Sequence, residues 1–182
     1  MGGILFVCTA NQIRSPFAER LMRAALYARF GRAADAIPVT SAGTHAMPGR
    51  PIWPEAAAEL ARRGVDAAGH SSRPLTPLMV RRSSLVLTAD RGHRAHVLTL
   101  VRDAHVFTLR ELAWRLADAG PADVPGEHLA DRLDALPYLV RAGSPDLPPD
   151  LDIADPVGGP EAGFVRAAAE IEQALAVGLR VL

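Results

Sequence analysis

Lysine is absent from the 182 residues: all 20 basic residues are arginine, and they face 20 acidic ones for a formal net charge of +0. That balance excludes the global positive field that holds nucleic acid or anionic lipid, so neither nucleic acid nor a membrane is expected as a partner, and only a local basic pocket stays open. With the heavy use of alanine, the all-arginine composition reads as a GC-rich coding bias, which makes abundant arginine weak ground for phosphate binding. Cysteine is almost absent as well. The single Cys8 excludes an internal disulfide and a thiolate-rich metal site, leaving either a buried filler or a working thiol. No stretch approaches the ~18 apolar residues of a membrane span, and the apolar start through Ile4 and Val7 is too short for a secretory segment. A cytoplasmic location is the expectation.

Hydrophobic residues at 49% and charged residues at 22% suit a globular fold, and the length suits one domain over residues 1–182. Ile4 to Val7 is a continuous apolar run ending at Cys8, the pattern of a strand buried on both faces of a parallel sheet. A polar loop from Thr9 to Ser15 follows. Pro16 suits a helix start, and Phe17, Leu21, Met22, Ala25 and Leu26 recur at helical spacing toward Gly31. Further strands are expected at Ile37 to Ser41, Leu85 to Thr88 and Val106 to Leu109. Helices are expected at Pro54 to Arg63, Arg91 to Val101, Leu109 to Ala117, Glu127 to Arg141 and Glu161 to Leu179. Strands alternating with helices predict a doubly wound parallel sheet. An enlarged segment at about 110–150, with the Pro-rich run Ser144 to Pro149, reads as an ordered loop or a lid.

The segment Cys8-Thr9-Ala10-Asn11-Gln12-Ile13-Arg14-Ser15 carries the chemistry. A loop between a buried strand and a helix turns successive backbone N–H groups and the positive helix end into one concavity suited to a tetrahedral oxyanion. The same field favours a thiolate, so a nucleophile exists at neutral pH. Arg14 can fork onto two phosphoryl oxygens, and the Ser15 hydroxyl can donate to sulfur when it departs. Asn11 is able to take a left-handed conformation in the loop. Ester cleavage also needs a proton donor, and Asp155, followed by Pro156 just before the last helix, is the candidate; by itself Asp-Pro is merely a turn. His93 and His96 lie three apart on one helix without a third ligand, which favours a solvated helix over a metal site. Arg62-Arg63 and Arg81-Arg82 read as exposed helix charges, and Leu112, Trp114 and Leu116 as packing residues.

Taken together, Cys8-x5-Arg14-Ser15-Pro16, Ser41-Ala42-Gly43-Thr44, His70-Ser71-Ser72-Arg73 and Asp155-Pro156 resemble the low-molecular-weight protein tyrosine phosphatase family in order and spacing. The resemblance implies a three-layer α/β/α fold around a central four-stranded parallel sheet. It also implies a phosphocysteine mechanism with Cys8 as nucleophile, Arg14 binding phosphate and Asp155 as general acid and base. Thr9 to Ser15 would cradle the phosphate, with Asn11, Ser15, Ser41 and His70 supporting the loop. No cofactor or metal is implied. The ligands would be phosphorylated protein and inorganic phosphate or other oxyanions, and a bacterial tyrosine kinase is a partner that the resemblance suggests.

The chain departs from that pattern at several positions. Ala10 stands where the loop usually has glycine, which predicts weaker phosphate binding if the backbone needs glycine's freedom. Ile13 replaces a second cysteine, leaving Cys8 without a disulfide partner against overoxidation. The usual aromatic wall is missing after Ser-Ala-Gly-Thr and after Asp-Pro, though Trp53 could approach the same mouth. Gln12 stands where arginine phosphatases of this kind carry threonine, so phosphoarginine is a competing substrate. Two further functions stay open: an arsenate reductase borrowing an external thiol, and a weakly active oxyanion-binding module.

Overall fold

In a computed structural model, residues 2–142 and 147–182 are described. The chain alternates strand and helix: β1 (Gly3–Cys8), α1 (Arg14–Phe30), β2 (Val39–Gly43), α2 (Pro54–Arg62), α3 (Pro77–Arg81), β3 (Ser83–Thr88), α4 (Arg91–Leu100), β4 (Val106–Thr108), α5 (Leu109–Arg115), α6 (Leu129–Ala142) and α7 (Glu161–Val181). The four strands form one parallel sheet in the order β2-β1-β3-β4. All six residues of β1 are buried, as a strand covered on both faces must be, and its alternating side chains divide between two cores. Ile4 and Phe6 join Phe17, Leu26, Leu112 and Ile171 on the face covered by α1, α5 and α7. Leu5 and Val7 join Val80, Val97 and Val101 on the face covered by α3 and α4. The expected α/β/α layering is therefore realised, with the crossovers bringing every strand's C-terminal end to one rim.

Most boundaries fall within two residues of expectation, and the differences have local causes. The second strand begins at Val39 rather than Ile37 because Pro38 has no N–H for the ladder, although its carbonyl still accepts from Ile4 N–H at 2.9 Å. Helix α1 begins two residues before Pro16, at Arg14, and ends at Gly31, whose positive φ of 56° suits glycine. The short α3 is an addition to the expected elements; Thr76 caps it by accepting from Met79 N–H at 3.3 Å, and Pro77 occupies its first turn. Arg62 is exposed as expected, whereas Arg63 is largely covered. Arg63 pairs with Glu59 on the preceding turn at 2.7 Å and with Glu172 on α7 at 2.8 Å, tying the two helices across Phe17. Of the proposed lid, Ser144, Pro145 and Asp146 lie outside the described residues.

Strand β2 is a sheet edge, and two arginines cover its outward carbonyls. Arg23 donates to Val39 O from both Nε and Nη2, at 2.9 and 2.6 Å, and Arg73 Nε donates to Ser41 O at 2.8 Å. An edge so occupied offers no template for another strand.

Candidate active site

The loop after β1 wraps back over the end of β2. Thr44 N–H donates to Cys8 O and His45 N–H to Thr9 O, each at 2.9 Å. Gly43 makes this approach possible: a Cβ there would lie 2.5 Å from Thr9 O and 2.9 Å from Asn11 N. The Ser-Ala-Gly-Thr motif is thus the floor under the loop, and its glycine is required by close contact.

Asn11 is the only non-glycine residue among those described with positive φ, at 56°. Its fully buried side chain fixes that conformation. Nδ2 donates to Ser15 Oγ at 2.9 Å and to Ser41 Oγ at 2.8 Å, while Oδ1 accepts from Arg73 N–H at 3.0 Å. His70 Nε2 lies 2.8 Å from Asn11 O, and Ser41 Oγ donates to the buried Glu19 carboxylate at 2.5 Å. Burial holds the His70 imidazole below its ordinary basicity; its bond to Asn11 and the charge of Glu19 work the other way, and Arg20 and Arg73 add to the lowering. The strain of a left-handed asparagine, of order 1 kcal/mol, is carried by this network. Ala10 needs no such help, since it does not share the positive φ, so its lack of glycine's freedom costs the backbone nothing. Backbone strain at Ala10 therefore gives no reason to expect weaker phosphate binding.

Cys8 ends β1 with its Sγ 3.0 Å from Ser15 Oγ. Arg14 opens α1 and is 3% exposed, yet its guanidinium reaches three partners from two segments. Nη1 donates to Ile153 O at 2.8 Å and approaches Asp90 Oδ2 at 3.4 Å, and Nη2 meets Asp155 Oδ2 at 2.6 Å. Asp155 is the more exposed partner, and its Oδ1 accepts from Val157 N–H at 3.2 Å in a tight turn set by the Asp-Pro sequence. Gln12 turns away, toward Pro51 O at 3.4 Å, while its own carbonyl accepts from Trp53 N–H at 2.8 Å. Trp53 is therefore anchored to the loop by its backbone and keeps a partly exposed ring.

Two participants are not legible in the sequence. Asp90 follows β3 and caps α4, accepting from His93 N–H at 2.8 Å. His93, expected on a solvated helix face, is instead buried; Nε2 lies 2.9 Å from Thr9 Oγ1, and Nδ1 lies 2.9 Å from Asp90 Oδ1 but off the line of a well-aligned hydrogen bond. The signal that could have found them is an Asp at the N-cap with a histidine three residues on, at the rim where the strand ends converge. A loop hydroxyl, an imidazole, a carboxylate and the Arg14 guanidinium thus form one chain.

Burial works to raise the Asp90 pKa, but the His93 side chain and backbone, then the charges of His93 and Arg14, outweigh it and hold the group at about 2, against an ordinary 3.8. A carboxyl lowered in the folded state stabilises the fold above its unfolded value and loses that contribution as pH falls toward the folded one. Asp90→Asn, which keeps a capping side chain, is therefore expected to cost about 1–2 kcal/mol at pH 6, and the difference from wild type should close between about pH 4 and pH 2. Urea unfolding across that range checks it; a difference independent of pH would contradict the assignment.

The comparisons with known proteins agree with this geometry. The family model described as low molecular weight phosphotyrosine protein phosphatase matches residues 3–126, a span that holds the Cys8 loop but ends before Asp155. The low molecular weight protein-tyrosine-phosphatase Etp of Escherichia coli is 35% identical over 111 residues, covering 61% of this chain and 70% of that protein. The protein-arginine-phosphatase of Bacillus subtilis is 36% identical over 111 residues, covering 59% and 70%. The crystal structure of Erwinia amylovora tyrosine phosphatase AmsI superposes with a TM-score of 0.70 at 22% identity, covering all of this chain and 93% of that one, which bears on the fold alone. Because one model matches more than half of the residues and relatives share a third of their aligned positions, this chain belongs to the low molecular weight phosphotyrosine protein phosphatase family.

Proposed function

We propose that the protein hydrolyses phosphotyrosine in phosphorylated proteins through a phosphocysteine intermediate, the whole chain 1–182 acting as one catalytic unit. The observation that carries the reading is the 2.6 Å contact between Arg14 and Asp155, which joins the phosphate-binding fork to a carboxyl group. Substrate phosphoryl oxygens compete for the same N–H groups and release Asp155 toward the ester oxygen.

Once released from Arg14, Asp155 takes a proton from solvent; Cys8 Sγ then attacks phosphorus as the P–O ester bond breaks, and Asp155 gives that proton to the departing phenolate. The backbone N–H groups of Thr9 to Ser15 and Arg14 receive the charge on the equatorial oxygens. In the second step Asp155, now a carboxylate, takes a proton from water as the water oxygen bonds to phosphorus and the S–P bond breaks. The Ser15 hydroxyl, 3.0 Å from Sγ, donates to the leaving thiolate. Trp53 supplies the aromatic surface that the loops after Gly43 and Pro156 do not.

Asp155→Ala is expected to slow phenyl phosphate about 100-fold or more and activated aryl phosphates far less, since only a poor leaving group needs the proton. Steady-state kinetics over a series of aryl phosphates reads this as a steeper dependence on leaving-group pKa; an equal slowing of all esters would remove Asp155 from the role. The similarity to the arginine phosphatase of Bacillus subtilis favours phosphoarginine as the second reading. Matched phosphotyrosine and phosphoarginine peptides, compared by kcat/KM, decide between them. A bacterial tyrosine kinase as partner and a cytoplasmic setting belong to the same proposal; among the described residues no helix is long and apolar enough to cross a membrane.

A further inference from the structure

A second polar cleft, of about 220 Å³, opens beside the loop-supporting residues, and none of Cys8, Arg14 or Asp155 lines it. Its walls include Glu19, Arg20, Arg23, His70, Ser71 and Arg73. Their charges do not cancel. Arg23 is compensated by Glu19, 3.0 Å away, and the other Glu19 oxygen is taken by Ser41. Arg20 and Arg73 have no carboxylate within ion-pair distance among the described residues. Arg73 spends its Nε on Ser41 O, and the Arg20 Nε is buried with no hydrogen-bond partner among the described residues. Two uncompensated guanidinium groups therefore face one cleft beside a half-buried imidazole, and a buried guanidinium nitrogen without an acceptor is an unusual cost for a fold to carry.

We propose that this cleft is a second oxyanion site, taking a tetrahedral phosphate-type dianion on the Arg20 and Arg73 forks with His70 and the Ser71 hydroxyl as further donors. Arginine pairs match two oxygens of such an anion in a way that a monatomic ion cannot. The bound anion would accept from the outer nitrogens of Arg20 and Arg73 and would raise the basicity of His70, by offsetting the two arginine charges that now act on it. The site would also be linked to the catalytic loop, because His70 contacts the Asn11 carbonyl and Arg73 N–H donates to the Asn11 side chain. Binding is read here without turnover, so the proposal stands or falls apart from the phosphatase reading.

The test titrates inorganic phosphate into the full chain by calorimetry, at fixed ionic strength, while the His70 ring resonances are followed by NMR. Arg14→Ala, which disables the catalytic loop, is expected to keep one phosphate per chain and an upward shift of the His70 titration. Adding Arg20→Gln should abolish that remaining binding and the shift, and Arg20→Lys, retaining charge without the fork, should weaken it about tenfold. A cooperative thermal transition in each variant, at a lower midpoint for Arg14→Ala, establishes that each is folded. The proposal is overturned if Arg14→Ala binds no phosphate, if its binding survives Arg20→Gln, or if chloride at equal ionic strength produces the same response.

Discussion

Turnover of para-nitrophenyl phosphate should fall by about four orders of magnitude or more in Cys8→Ser, with the fold intact and phosphate still bound. The size of the effect follows from ionisation. A serine hydroxyl is almost wholly protonated near neutral pH, and the nearest polar partner of Cys8 is the Ser15 hydroxyl at 3.0 Å, which is no general base. The fold should survive because the change is nearly isosteric at the end of β1, where the ladder is made by backbone and not by sulfur. Phosphate binding should survive because its donors are loop N–H groups and Arg14. The measurement is a metal-free assay at mildly acidic pH for wild type and variant side by side, with phosphate affinity by calorimetry. Residual turnover within tenfold of wild type would remove Cys8 as nucleophile. A folded wild type that fails to turn over would instead leave arsenate reduction with an external thiol, or oxyanion binding alone, as the working account.

Arg14→Lys should cost about 100- to 1,000-fold in kcat/KM although the charge is kept. Arg14 serves Ile153 O, Asp90 and Asp155 from two terminal nitrogens, in a position only 3% exposed. One ammonium group on a flexible stem cannot span those acceptors and also present two parallel N–H groups to a phosphoryl group. It would leave a carbonyl or a carboxylate unpaired in a partly buried site, where each missing partner costs about 1–3 kcal/mol. The loss should therefore appear in phosphate affinity and in kcat together, and in reduced thermal stability. Kinetics within a few-fold of wild type would show that the fork is not what the reaction uses.

The two variants differ in a way that separates chemistry from binding. Cys8→Ser removes a nucleophile from an intact cradle, whereas Arg14→Lys damages the cradle around an intact nucleophile. A chain that binds phosphate equally well in both forms would contradict the roles assigned here.

Local features were legible along the chain. The run from Ile4 to Cys8 is apolar without alternation, so it had to be a strand covered on both faces, and the helices after it followed from residues three and four apart. Asn11 stood out as the left-handed position because few other side chains tolerate it, and a strand, a polar loop and a helix start in succession marked where an oxyanion would sit. The family resemblance implied that Asp155 and the Asn11, Ser15, Ser41 and His70 set meet at the loop, but the contacts themselves came only with the packing of the strands. The contact of Arg14 with Asp155 joins residues 141 apart, and that of Thr9 with His93 joins residues 84 apart. Neither separation has a period or a composition to betray it. The order β2-β1-β3-β4 brings these groups to one rim, and that order turns His93 from a helix surface residue into a loop partner. That Ala10 avoids a positive φ likewise waited on backbone angles that no residue type dictates. Arg73 was legible only as the end of the His70-Ser71-Ser72-Arg73 motif and Arg20 only as one among many arginines, and packing alone left both facing one cleft with no carboxylate within ion-pair distance among the described residues. Local patterning is written in the spacing of side chains along the chain, whereas pairing across the fold depends on which strand ends lie side by side.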